Sequence, residues 1–142
     1  MKLTTSLIAG GILSVAATGA FAEAHMDPSS MIPADNISDG AVYRMDVEAG
    51  DTVWAGGTAY STIDTSWTEV GEIDDILLDR NGKMVGILIE VGGFLGINDR
   101  DVVIPLENVR FATGEGDTYS YVTNLTEEEI KALPEIDDDI WD

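Results

Sequence analysis

VGEIDDILLDRNGKMVGILIEVGGFLGINDRDVVIPLENVRF, residues 70–111, decides the fold. Its clearest signal is Asn81-Gly82, set between Ile76-Leu77-Leu78 and Val85-Gly86-Ile87-Leu88-Ile89. Asn-Gly accepts the positive backbone angles of a type I′ turn, whose twist suits a two-stranded hairpin. A two-residue turn there pairs Arg80 with Lys83, Leu78 with Val85 and Ile76 with Ile87. It puts those four apolar side chains on one face, with Ile89 and Val91 farther along. Val70, Ile73, Asp74 and Leu77 also fit a helical stripe. The stretch begins beside Gly71 and runs straight into the turn, so it is too short for a comfortable helix. A β-bulge near Asp74-Asp75 lets both Ile73 and Ile76 face inward.

Outward from this hairpin, short runs rich in Val, Tyr, Trp, Thr and Ile alternate with Gly, Asp and Asn, as strands and tight turns do. The expected strands are 41–47, 51–61, 70–78, 83–91, 101–105, 107–112 and 118–123. The fold class is therefore all-β. Near the end, Thr126-Glu127-Glu128-Glu129 reads as a capping box, and three carboxylates favour the positive start of a helix. A short helix from 127 to about 133 follows, stopped by Pro134. The acidic tail Glu135-Ile-Asp-Asp-Asp-Ile-Trp-Asp142 closes the sequence.

The other end has Lys2, an apolar run from Leu7 to Val15, and Ala20-Phe21-Ala22. Basic start, apolar middle and small-x-small exit are the plan of a signal peptide cleaved before Glu23. A membrane anchor needs about 20 predominantly apolar residues; this run is shorter and broken by Gly10, Gly11, Thr18 and Gly19. No later segment is long and apolar enough to span. Residues 23–38, with Pro28, Pro33 and paired serines, read as a flexible leader. The expected organisation is signal peptide 1–22, leader 23–38, β domain 39–123, and short helix with acidic tail 124–142. Export places the protein in the periplasm or outside a bacterial cell.

Seven Lys+Arg against 27 Asp+Glu give the 142-residue chain a net charge of −20, and loss of Lys2 makes it one unit more negative. Such a surface repels phosphate backbones and anionic lipid, which excludes nucleic acid as a partner. There is no cysteine, hence no disulfide framework and no zinc–thiolate site. A hydrophobic share of 44% argues against wholesale disorder. With no Cys, one histidine (His25) in the leader, and no Ser or Thr near a plausible base, the inventory is that of a protein without catalytic residues. Asp74 and Asp75 are adjacent on a strand, point to opposite faces, and read as solvated charges.

The stretch 70–111 resembles the PRC-barrel family, relatives of the cytoplasmic part of the photosynthetic reaction-centre H subunit and of the C-terminal domain of a ribosome-maturation factor. The resemblance rests on the Gly-Glu-Ile-Asp-Asp strand, the Asp-x-Asn-Gly turn, the VGGFLG segment and the Val-x-Ile-Pro-Leu strand, in that order. The end Leu-Thr-Glu-Glu-Glu-Ile-Lys-Ala-Leu-Pro-Glu-Ile looks like the tail of many exported members. The resemblance begins at about Ala59 and implies a small, closed or partly open β-barrel. It implies binding and assembly roles and brings no catalytic residue and no cofactor to any position here. Strands 41–47 and 51–58 and the Trp-bearing loop Ile63 to Glu69 depart from its pattern, as decoration or an extra edge strand. Export and the acidic surface set the ribosomal role aside, and signal cleavage removes the membrane helix that a reaction-centre role needs.

Within this frame Phe94, Leu95 and Ile97 stand out, large apolar residues among glycines where a turn is expected. They read equally as core and as a contact patch for another protein or a second copy. Trp141, interleaved with Ile136, Ile140 and charge, is the fourth contact candidate. Trp54 and Trp67 read as packing residues rather than ligand platforms. The alternative function is an acidic envelope protein that binds divalent cations or a small ligand. No loop has the D-x-[DN]-x-[DN]-G spacing of a calcium site, and Asp137-Asp138-Asp139 offers only loose cation binding. The expectation is thus a non-enzymatic, exported, protein-binding or assembly module of the bacterial envelope.

Overall fold

In the computed structural model, which describes residues 27–48, 51–92 and 98–141, the elements follow in chain order. They are β1 (Ala41–Arg44), α1 (Thr52–Gly56), β2 (Thr68–Leu78), β3 (Met84–Val91), β4 (Arg100–Pro105), β5 (Val109–Thr113), β6 (Tyr119–Thr123) and α2 (Glu127–Ala132). The signal peptide expected over 1–22 and the start of the leader lie outside the described residues. The described residues are mostly β, with six strands in one sheet ordered β4-β3-β2-β1-β6-β5. Among the described residues no pairing joins β4 to β5, so the ladder is not closed, and a mostly β chain with one six-stranded sheet fits the expected PRC-type barrel.

The β2–β3 hairpin is present, but its turn differs from the expected one. A type I′ turn needs positive φ at both central residues; Gly82 has φ +82°, whereas Asn81 does not. The Asp79 carboxylate instead accepts from the Asn81 amide at 2.8 Å and the Lys83 amide at 3.0 Å. Gly82 N–H donates to Asp79 O at 2.9 Å, and Asp79 N–H to Lys83 O at 2.8 Å. The result is a three-residue loop closed by a left-handed glycine. That extra residue pairs Leu78 with Met84 rather than Val85 and leaves Val85 unmatched, until Ile76 meets Ile87 as expected. Leu78 (59% exposed) and Val85 (45%) consequently point to solvent rather than sharing the buried face.

The second expected irregularity is observed. The register shifts between Ile73 and Asp75, and Asp75 satisfies the Ile76 amide at 2.8 Å. Ile73 is buried and Ile76 packs against the core, so the bulge turns both inward.

Strand β1 is the centre of the sheet rather than a decoration. It pairs antiparallel with β2 and parallel with β6, and thereby joins the β2-β3-β4 meander to the β5-β6 hairpin. Val42, at its middle, is fully buried. Ile37, assigned to the leader, also enters the core, and Asp39 N–H and Gly40 O both bond to Ile73.

The expected strand 51–61 is instead helix α1 followed by a single bridge. The Asp51 side chain accepts from Trp54 N–H at 2.9 Å, and Gly57 ends the helix with φ +67°. These are ordinary helix start and stop signals, and they override the β-prone Val53 and Trp54. Trp54 is buried beneath Arg110, whose guanidinium lies 4.5 Å from the ring centroid and donates to Trp54 O at 3.0 Å. Trp67 packs edge-on against Tyr60 at 5.2 Å and near Tyr43 at 6.4 Å. Both tryptophans are thus packing residues.

Both sheet edges are covered by short segments, which blunts unwanted strand pairing. Tyr60 bridges Ala112 on the outside of β5, and Glu135 bridges Val102 on the outside of β4. Helix α2 begins with the expected capping box between Thr126 and Glu129 and places Ile130 in the core. Its C-terminal end is latched by Arg100, which donates to Ile130 O at 3.2 Å and Lys131 O at 2.6 Å. A cation there also complements the negative helix end.

Candidate protein-contact site

The altered register of the hairpin leaves Val85 at the surface, beside a cleft. Met84 and Val85 at the start of β3 face Pro105 and Leu106 at the β4–β5 corner. Together with Lys83 and Glu107 they line a cleft of about 530 Å³. Val85 and Leu106 (37% exposed) are its accessible apolar side chains. Met84 is steadied from beneath, because the Tyr121 hydroxyl donates to its sulfur at 3.9 Å. Burial holds the Tyr121 phenol above its ordinary pKa of 10.0, so it stays a donor across the physiological range.

Lys83 and Glu107 on the cleft, with Asp79 and Arg80 in the adjoining turn, make this end formally neutral. The other described cations are engaged within the chain. Arg44 meets Asp46 at 2.8 Å and Lys131 meets Glu127 at 2.6 Å, while Arg100 and Arg110 bond to backbone carbonyls. Among the described residues Arg80 and Lys83 alone have no such partner. On a chain of net charge −20, this is an apolar cleft whose lining carries no net charge, Lys83 balancing Glu107.

A second cleft of about 530 Å³ has the opposite character, lined by Met45, Asp46, Glu48, Asp51, Asp64, Ser66 and Trp67. Three of its four carboxylates serve nearby groups. Asp46 pairs with Arg44, Asp51 caps α1, and Asp64 accepts from Ser66 N–H at 2.7 Å. The Ser66 hydrogen bonds hold the Asp64 carboxyl below its ordinary 3.8. Beside it, burial first and the Asp51 charge second raise the Tyr60 phenol. Among the described residues no three His, Cys, Asp or Glu side chains converge as a metal site would need.

Of the contact candidates read from sequence, Phe94, Leu95 and Ile97 lie outside the described residues. Trp141 is described on the turn Asp138–Trp141, 54% exposed beside Ile140 at 64%. The tail is seated as far as Ile136, whose N–H donates to Asp101 O at 2.8 Å. Val85 and Leu106 went unnoticed in the sequence because a two-residue turn assigns Val85 to the core. The signal was Asp79, whose carboxylate favours the longer loop.

Residues 62–125 match the model of the PRC-barrel domain family. Over that stretch the chain is similar to PRC-barrel domains. The match runs from the loop before β2 to the residue before the α2 cap, and it leaves β1 and both helices of the chain outside. No curated protein matches the chain. Among the described residues no helix is long and apolar enough to cross a membrane.

Proposed function

We propose that this is a non-enzymatic, exported PRC-barrel protein that binds other proteins in the bacterial cell envelope, with the cleft at the β2–β3 hairpin tip as its contact surface. The carrying observation is the exposed pair Val85 and Leu106 flanked by Lys83 on a strongly acidic chain. Apolar groups at the centre with charge at the rim are the anatomy of a protein interface. The PRC-barrel match supports the reading, since such domains serve as interaction modules. Export rests on the order of charge, apolar run and small residues over 1–22.

The test is capture from envelope extract of cells lacking the protein's own gene, with the wild type and with Val85→Ser/Leu106→Ser as baits. Partners recovered by the wild type and lost with the variant support the reading. Identical recovery removes the cleft from it. Mass spectrometry of the protein from its native cells tests export separately, by an N-terminus at Glu23 rather than Met1.

A further inference from the structure

Strand β4 is an edge of the open sheet, and its cover is short. Among the described residues its outer side meets the segment after α2 at an antiparallel bridge, Val102 with Glu135, and through Ile136 N–H, which donates to Asp101 O at 2.8 Å. Backbone groups alternate sides along a strand, so Val103 turns its N–H and C=O outward as Asp101 does. Pro105, which has no N–H, ends the edge. The helix before the cover is held independently of it, by Ile130 in the core and by Arg100 on the carbonyls of Ile130 and Lys131. Glu135 and Ile136 can therefore lift away while α2 stays seated.

Charge works against this cover. Glu72, Glu90 and Asp101 stand opposite one another on β2, β3 and β4, and like charges so placed repel. Glu135 brings a further carboxylate to a cleft of about 400 Å³ that it lines with Asn98, Asp99 and Arg100. Arg100 is outnumbered there by Glu90, Asp99, Asp101 and Glu135, and Lys131 nearby is paired with Glu127. We propose that the β4 edge is a further contact surface, which accepts an extended lysine- or arginine-rich segment of another protein in place of Glu135 and Ile136. The incoming strand restores the backbone hydrogen bonds that the tail gives up, and its cations meet the carboxylates that Glu135 opposes. Main-chain pairing supplies the affinity and alternate side chains the preference. A second copy is a poor occupant, because it sets another chain of −20 against these carboxylates. The surface lies toward the Arg100 end of β4, away from the cleft at Pro105 and Leu106, and does not depend on that cleft.

Hydrogen exchange on the wild type, with a short peptide of alternating lysine and valine at saturation, tests this without any substitution. Slowed exchange at Val103 together with quickened exchange at Ile136 is expected, since the peptide takes the place of the tail. An unchanged Ile136, or a Val103 that gains no protection, overturns the proposal. Titration calorimetry adds a control peptide of alternating lysine and proline, which has the same charge and cannot pair as a strand. Ile136→Pro removes the N–H that bonds to Asp101 O, and is expected to bind the lysine–valine peptide about tenfold more tightly than the wild type. The control peptide is expected to bind both proteins alike. Val103→Pro, added to Ile136→Pro, takes an outward N–H from the edge and is expected to abolish the gain, with circular dichroism showing both variants folded. Equal affinity of the wild type and Ile136→Pro for the lysine–valine peptide overturns the proposal, as does a gain that the control peptide shares or that Val103→Pro leaves intact.

Discussion

Asp79 shows how one side chain sets a surface. Its carboxylate collects the Asn81 and Lys83 amides, which selects the three-residue loop and thereby ejects Val85 from the core face. The Lys83 and Asn81 backbone hydrogen bonds hold its pKa below the ordinary 3.8. A carboxyl depressed in the fold stabilises it above the open-chain value and loses that effect as pH falls through the folded value. Stability is therefore expected to fall as the pH drops below about 4. Asp79→Ala is expected to lower the melting temperature at pH 7 and to reduce its fall on acidification, measured by circular dichroism between pH 7 and pH 2.5. The acidic cleft yields a prediction at the same scale, because Asp46, Asp51 and Asp64 already serve their own neighbours. Calorimetry with calcium, magnesium and zinc is expected to find no affinity tighter than about millimolar.

Among the elements, those with a local chemical signature were legible and those set by distant pairing were not. The capping box announces α2, and the adjacent Asp74-Asp75 between inward isoleucines announces the β2 bulge. Helix α1 was obscured because Val53 and Trp54 are strand-prone, although Asp51 and Gly57 bracket it as cap and stop. The central place of β1 could not be read, since its parallel partner β6 is far along the chain and no local residue encodes that pairing. Two predictions belong here. Ile130→Ala, which empties a fully buried site joining α2 to the sheet, is expected to cost about 2–5 kcal/mol in urea unfolding. Gly86→Ala is expected to destabilise similarly or more, because a Cβ there meets Ile104 O at 2.6 Å in the neighbouring strand.

At the scale of the whole molecule, Tyr60 and Glu135 each bridge one residue on the outer sides of β5 and β4, which leaves less of either edge open to strand addition. The hairpin end presents an apolar pair with Lys83 and Glu107 at its rim, on a chain of −20. That charge also repels itself, so the melting temperature is expected to rise between 0.02 and 0.5 M sodium chloride as screening shortens the range of repulsion from roughly 20 Å to a few ångström. Composition alone made the acidic surface legible; the exposed Val85 required the turn geometry. Hydrogen exchange by mass spectrometry, on the protein alone and bound to a captured envelope partner, tests the binding surface most directly. The account predicts slowed exchange at Lys83–Val85 and at Leu106–Glu107, and protection confined to residues 46–67 or absent from the hairpin end would contradict it.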